Sequence, residues 1–341
     1  MLNEEINLDK EKLTRILNNF RDKKVMVLGD MVADRYIFGK TSRVSREAPV
    51  IILKYDTEEI ILGGAANSVN NINAMGGRVF PVGIIGQDKA GRQMLKIMRD
   101  KKIVTSRMIV DVDSPTVTKT RIMAGDYHTA RQQVVRIDRE SDKPLSKELE
   151  ARVLRVLAAH IPDMDAVLVS DYGAGLITER VRDVLLGLVH KYQKPLVVDS
   201  RYNITKYEGA TLITPNETEA APAVGMKVDG EKALKEVGAR LLAKVKCKGV
   251  LITQGRNGMT LFEPKGKITH IDIAGSDDAV DVTGAGDTVA SCATLALAGG
   301  AGLKEAAELA NLAAGVAVMK RGTAVVSIPE IKQKLDNEKE D

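Results

Sequence analysis

Short apolar runs alternate with helical segments along this chain, and no other feature constrains its fold as much. The runs Lys24–Leu28, Val79–Ile84, Ala166–Val169, Leu196–Asp199, Thr211–Ile213 and Gly249–Thr253 have the length of strands. Among them lie segments of helical character: Ala65–Met75, Gly91–Arg99, Lys147–His160, Thr178–Lys191, Glu231–Ala243, Ala285–Ala298 and Leu303–Lys320. A strand that returns parallel to its predecessor needs a crossover, and a helix is the usual one. Continuously apolar strands belong to a sheet covered on both faces. The expected class is therefore α/β, a mostly parallel sheet between layers of helices.

Two stretches break this rhythm and alternate with period two instead. Arg35–Leu62 contains Val50-Ile51-Ile52-Leu53-Lys54-Tyr55. Thr116–Asp138 contains Val117-Thr118-Lys119-Thr120-Arg121-Ile122 and Val134-Val135-Arg136-Ile137. They predict a small separate sheet made from two insertions, about 35–62 and 116–138. No repeat or low-complexity linker divides the chain, so one domain over 1–341 is expected, large enough to bury a full core. Residues 1–20 read as a peripheral helix and 333–341 as a charged, frayed tail.

The chemistry concentrates at Val280-Asp281-Val282-Thr283-Gly284-Ala285-Gly286-Asp287-Thr288. The turn Gly284-Ala285-Gly286 opens into an apolar helical run. Small residues there let backbone N–H groups point at one spot, at the positive end of a helix, which favours an anion. A carboxylate at Asp287 is useful beside such a spot if it takes a proton from an attacking hydroxyl. The amides of Gly284, Ala285 and Gly286 would then stabilise charge on a phosphoryl group in transfer. A lone GxGD would read better as a helix cap; the complete D-x-T-G-A-G-D string reverses that preference.

That string resembles the C-terminal signature of the ribokinase family, the sugar kinases of phosphofructokinase-B type. Further stretches match in order between about Val25 and Pro329: Gly29-Asp30 with Asp34, Gly63-Gly64-Ala65-Ala66-Asn67, Thr214-Pro215-Asn216-Glu217-Thr218-Glu219, Leu251 to Gly258, and Asn311 to Ser327. Within the family, Gly29 to Tyr36, Ser42-Arg43, Glu47-Ala48-Pro49-Val50 and Ser170-Asp171-Tyr172 look most like heptose 7-phosphate kinases. The resemblance implies a ribokinase-like three-layer fold with a β lid over the sugar, often a dimer contact, and hence a homodimer. It implies ATP and Mg²⁺, with K⁺ as a further ligand near Asp281 and Thr283. It places Asp34, Gly63, Gly64 and Asn67 at the sugar, and Asn216, Thr253, Gly255, Gly258 and Asn311 at the nucleotide. Glu219 and Asn216 fall at the Mg²⁺ position, partly through water.

The residues also support plainer readings. Asn216 and Glu219 at a helix start form an ordinary capping box as well as a pair of oxygen ligands for a hard cation. Asp30 is as readily a turn-stabilising carboxylate as a functional one. Gly39-Lys40-Thr41 looks like the end of a P-loop, but Asp34 stands where that motif needs glycine. Two positions depart from the heptose kinase pattern. Ala174 stands where a lysine is usual, and Asp199-Ser200-Arg201 replaces Asp-Pro-Lys. A phosphorylated substrate would then have to be met by Arg201 or by the lid residues Arg43, Lys119, Arg121 and Arg131, unless these are solvated edge charges. No H-x-G-H element surrounds any histidine, so only a kinase half is expected. Another sugar kinase, or a silent sugar-binding regulator on the same fold, remains the alternative.

A formal net charge of +4, spread among acidic residues, gives no argument for nucleic acid. No apolar run approaches the roughly 18 residues of a membrane span, and Cys247 and Cys292 are too few and too separated for a disulfide framework. A cytoplasmic enzyme with a small-molecule sugar or sugar phosphate as its partner is expected.

Overall fold

The computed structural model describes residues 10–125, 131–141, 143–227, 230–274, 279–320 and 322–337. The strands are β1 (Lys24–Gly29), β2 (Met31–Val44), β3 (Ile51–Gly64), β4 (Arg78–Val82), β5 (Ile84–Gly86), β6 (Ile109–Asp111) and β7 (Thr118–Ala124). They continue as β8 (Gln132–Arg139), β9 (Ala166–Asp171), β10 (Leu196–Ser200), β11 (Leu212–Ile213), β12 (Gly249–Thr253), β13 (Met259–Glu263) and β14 (Lys267–Ile271). The α-helices are α1 (Lys10–Asn18), α2 (Ala65–Ala74), α3 (Lys89–Asp100), α4 (Lys147–His160) and α5 (Glu179–Lys191). After them come α6 (Glu217–Ala223), α7 (Gly230–Val245), α8 (Ala285–Ala298), α9 (Leu303–Ala317) and α10 (Ile328–Asn337).

The central sheet runs β14-β13-β12-β11-β10-β9-β1-β4. It is parallel from β4 to β12, and β13 and β14 add an antiparallel edge. Successive side chains of β1 go to opposite faces, as pleating requires. Val25 and Val27 join a core with Leu17, Ile72, Val289, Ala293 and Leu309, while Met26 and Leu28 join another with Leu157, Leu185, Val237 and Leu241. Both sets are fully buried, which is why the strand reads as an unbroken apolar run. The fold is the expected mostly parallel α/β sandwich with a second, smaller sheet.

That second sheet has the order β3-β2-β7-β8, with β2 and β7 parallel and the outer pairs antiparallel. β2 leaves the core at Met31–Asp34 and ends exposed; β3 returns to buried Leu62 and hands the chain directly to α2.

Several boundaries differ from the expectation, each for a local reason. The run Val79–Ile84 is two strands, because the chain turns away at Gly83 and Ile84 pairs with Ile109. The β13–β14 hairpin was not anticipated; Lys265 (φ 65°) and Gly266 (φ 77°) make its left-handed turn, the geometry that suits a tight hairpin. The frayed tail over 333–341 is corrected as far as Asn337: α10 buries Ile331 and Leu335, one helical turn apart. Residues 338–341 lie outside the described residues, as do 1–9 of the expected N-terminal helix. α1 is also more than peripheral, since Leu13, Ile16 and Leu17 are buried. Cys247 and Cys292 are buried free thiols. Among the described residues no helix is long and apolar enough to cross a membrane.

Candidate active site

The site is assembled at the C-terminal ends of the parallel strands, where α2 and α8 begin. Gly284 precedes α8 in a left-handed conformation (φ 81°), and a Cβ there would lie 2.7 Å from Nδ2 of Asn67. Only glycine makes this entry without strain. It delivers Asp287 into the first turn of α8, where it is buried. Asn67 Nδ2 donates to Asp287 Oδ2 at 2.8 Å, and Ser68 Oγ and the Tyr172 hydroxyl donate to Oδ1 at 3.1 and 3.0 Å. Burial pushes the Asp287 carboxyl up to about 6; the three hydrogen bonds pull it down, and the charge of Asp34 adds to the rise. A carboxyl titrating there is largely ionised at neutral pH yet basic enough to accept a proton. The Ala285 amide donates to Val282 O at 3.2 Å, so it is committed inside the turn rather than aimed at a ligand.

Asp34 sits beside this group and is ion-paired with Arg121 of the lid. A Cβ at Gly63 would fall 2.1 Å from Asp34 Oδ2, so the glycine is needed to let that carboxylate lie against β3. Gly64 (φ 54°) turns the chain into α2. From the lid, Lys119 Nζ stands 5.5 Å from the centre of the Tyr172 ring. Asp30 accepts the backbone N–H groups of Tyr172 and Ala174 at 2.9 and 3.0 Å, which realises its plainer reading as a turn-stabilising residue.

On the other side, Asn216 caps α6. Its Oδ1 accepts from the Glu219 amide at 3.0 Å while Glu219 Oε2 accepts from the Asn216 amide at 3.1 Å, a complete capping box. The Thr253 amide donates to Pro215 O, so the segments expected from the sequence at the nucleotide meet. Gly255 (φ 58°) and Gly258 (φ 72°) shape the following turn, and a Cβ at Gly258 would strike Ile271 O at 2.1 Å. Asn311 Nδ2 donates to Asp272 O at 2.7 Å, fixing the chain that leaves β14. Burial raises the Glu219 carboxyl above its ordinary range; the Asn216 amide and the charge of Arg201, on the exposed turn after β10, offset part of that rise. Asp281 accepts from the amides of Thr283 and Gly322, both at 2.9 Å. Arg131 pairs with Asp56 and covers Phe38 within the lid.

Three contributors were not singled out from the sequence. Ser68 follows Asn67 on the same turn, and Tyr172 belongs to a stretch noted only for its likeness. Asp199 lies next to the end of β10; burial first, then the charges of Asp287, Glu219 and Asp171, push its carboxyl well above the carboxylate range. Such mutual repulsion is relieved by a cation. Among the described residues no three His, Cys, Asp or Glu side chains close around one point. The donors present are all oxygens, which fits Mg²⁺, an ion that prefers oxygen ligands, keeps several waters and shares phosphate oxygens.

Comparison with known proteins bears on the family and the fold. A family model described as pfkB family carbohydrate kinase matches residues 22–331. The bifunctional protein HldE of Desulfatibacillum aliphaticivorans is 39% identical over 320 residues, covering 94% of this chain and 64% of its own length. HldE of Geobacter sulfurreducens is 40% identical over 307 residues, covering 90% and 61%. The chain thus spans a little under two thirds of these curated relatives. Among solved structures, Arabidopsis thaliana ribokinase complexed with ribose and ATP superposes with a TM-score of 0.71 at 19% identity, over 92% of this chain and 99% of that one. Escherichia coli phosphofructokinase-2 in complex with potassium gives 0.73 at 15%, over 92% and 98%. At those identities the structures speak for the fold.

Proposed function

The chain belongs to the pfkB family of carbohydrate kinases, and from that premise we propose that it transfers the terminal phosphoryl group of ATP to a hydroxyl of a sugar phosphate. D-glycero-D-manno-heptose 7-phosphate is the leading substrate, phosphorylated at position 1, since the curated relatives carry a heptose 7-phosphate kinase domain. The observation that carries the reading is Asp287: a buried carboxylate held by three donors at a helix start, titrating near 6.

In this reading Asp34, Gly64 and Asn67 bind and orient the sugar, and Asp287 takes the proton of the attacking hydroxyl. The amides of Gly284 and Gly286, at the positive end of α8, face the charge on the phosphoryl group in flight. Thr253, Gly255, Gly258 and Asn311 line the nucleotide side. Glu219, Asn216 and Asp199 would hold Mg²⁺ through its waters; the ion neutralises phosphate charge. Asp281 and Thr283 would attend a monovalent cation. Lys119 and Arg121 reach the sugar from the lid, while Arg201 serves the nucleotide side. Ala174 favours a second reading, a different sugar as substrate, because the usual lysine is missing beside the Tyr172 loop.

Apolar residues exposed on the lid strands, among them Ile51, Tyr55, Val134, Val135 and Ile137, support a homodimer through the lid. A coupled ADP-release screen across sugars and sugar phosphates tests the whole reading. Release that depends on a heptose 7-phosphate is expected. Release with another sugar moves the substrate, and none with any sugar overturns the kinase reading.

A further inference from the structure

Each oxygen of an ionised carboxylate offers about two lone-pair positions. In Asp287, Oδ1 has both occupied, by Ser68 Oγ and the Tyr172 hydroxyl, whereas among the described residues Oδ2 accepts only from Asn67 Nδ2. One position is therefore open, and it lies on Oδ2. We propose that Tyr172 is a positioning residue which, together with Ser68, locks Oδ1 of Asp287 and directs the substrate proton to Oδ2. The inference rests on Asp287 being the base of the proposed transfer.

The step balances. The sugar O–H bond breaks and its proton goes to Oδ2. The sugar oxygen bonds to the γ-phosphorus, and the bond to the bridging oxygen of ADP breaks. Tyr172 keeps its own proton throughout, since burial and then the Asp287 charge raise its hydroxyl well above its ordinary range.

Tyr172 is placed for this by the turn that carries it. Its amide is held by Asp30 Oδ2 at 2.9 Å, and the Gly173 amide by Asp171 Oδ1 at 3.0 Å. Gly173 has φ 80°, the left-handed conformation that the turn needs and that glycine adopts without strain. Asp171 is itself fixed by Ser200 Oγ and the Tyr207 hydroxyl at 2.8 and 3.1 Å. Asp30 and Asp171 thus act on Asp287 through Tyr172. The other charged groups facing Asp287 are Asp34 from β2, neutralised by Arg121 from β7, and Asp199 from β10.

The test is the pH profile of kcat/KM for Tyr172→Phe, which removes one hydroxyl and keeps the ring. Loss of a donor to the ionised form should move the acid limb upward from near pH 6 by about one unit. The plateau at high pH should stay within about threefold of the parent, and KM for the sugar should be unchanged. Ser68→Ala should move the limb in the same direction, and it serves alone should the first variant melt early. An unmoved limb with a uniformly lower plateau, or a rise in sugar KM alone, overturns the inference and makes Tyr172 structural or substrate-binding. If instead Asp287→Asn keeps parental turnover, the base assignment itself fails, an outcome separable from either.

Discussion

Around the start of α8, Asn67, Ser68, Asp287, Thr288 and Ser291 are buried and each has a hydrogen-bond partner, while in the lid every residue of β8 is exposed. The floor is held by close packing and a satisfied polar network, both of which resist displacement. The lid is held by its backbone ladders and by ion pairs such as Arg35–Glu58 and Arg131–Asp56, which at this exposure contribute little each. The difference assigns separate duties. Groups whose placement must not vary, the base and its donors, lie on packed helices. The groups proposed to meet a substrate, Lys119 and Arg121, come down from the lid, whose outer strand β8 is exposed along its whole length.

The sharpest way to break this division is Asp287→Asn. Turnover should fall by roughly 10²–10⁴-fold with fold and ATP binding kept, the range for a lost general base; turnover within threefold of the parent would remove Asp287 from the mechanism. In the unaltered protein kcat/KM should decline as pH falls through about 6, because the base is active only when ionised.

Stability separates the two regions next. Leu168→Ala in the buried β9 is expected to cost about 2–5 kcal/mol in denaturant unfolding, and Val135→Ala in the exposed β8 no more than roughly 0.5 kcal/mol. Equal costs would mean that the lid is as packed as the floor.

Substrate selection should track the lid. Lys119→Ala or Arg121→Ala is expected to raise KM for a sugar phosphate roughly tenfold, about 1.4 kcal/mol, with KM for ATP unchanged. Arg131→Ala, engaged with Asp56 and Phe38, should stay within about twofold. If neither of the first two moves the sugar KM, a neutral sugar becomes the better substrate. A smaller effect than that of the two lid cations belongs to Glu219→Gln. The amide oxygen can keep the capping box, so stability should hold while the Mg²⁺ needed for half-maximal rate rises about fivefold. An unchanged Mg²⁺ requirement leaves Glu219 as a cap alone.

The layered fold was legible because it rests on local pattern: β1 shows its burial in four consecutive apolar residues, α4 in the helical spacing of Val153 and Leu157, and α8 in an unbroken run of small and apolar residues. The lid was legible as alternation. The β13–β14 hairpin was not, since Met259-Thr260-Leu261-Phe262 is buried on both faces and lacks an alternating pattern. The D-x-T-G-A-G-D string marked Asp287, and the glycines at 63 and 284 had reasons that only the three-dimensional contacts supply: room for Asp34 and for Asn67.

What the sequence determined by itself was therefore the class of fold, the family and the position of the candidate base, because periodicity and a contiguous turn are encoded within a few neighbouring residues. What only the tertiary structure decided was which groups act on that base. Asn67, Ser68 and Tyr172 lie more than a hundred residues from Asp287 in the chain, and Asp199 nearly ninety. Hydrogen bonds and repulsions between them exist only once the ends of separate strands and helices are packed into the same few ångströms, where low dielectric makes each of them count.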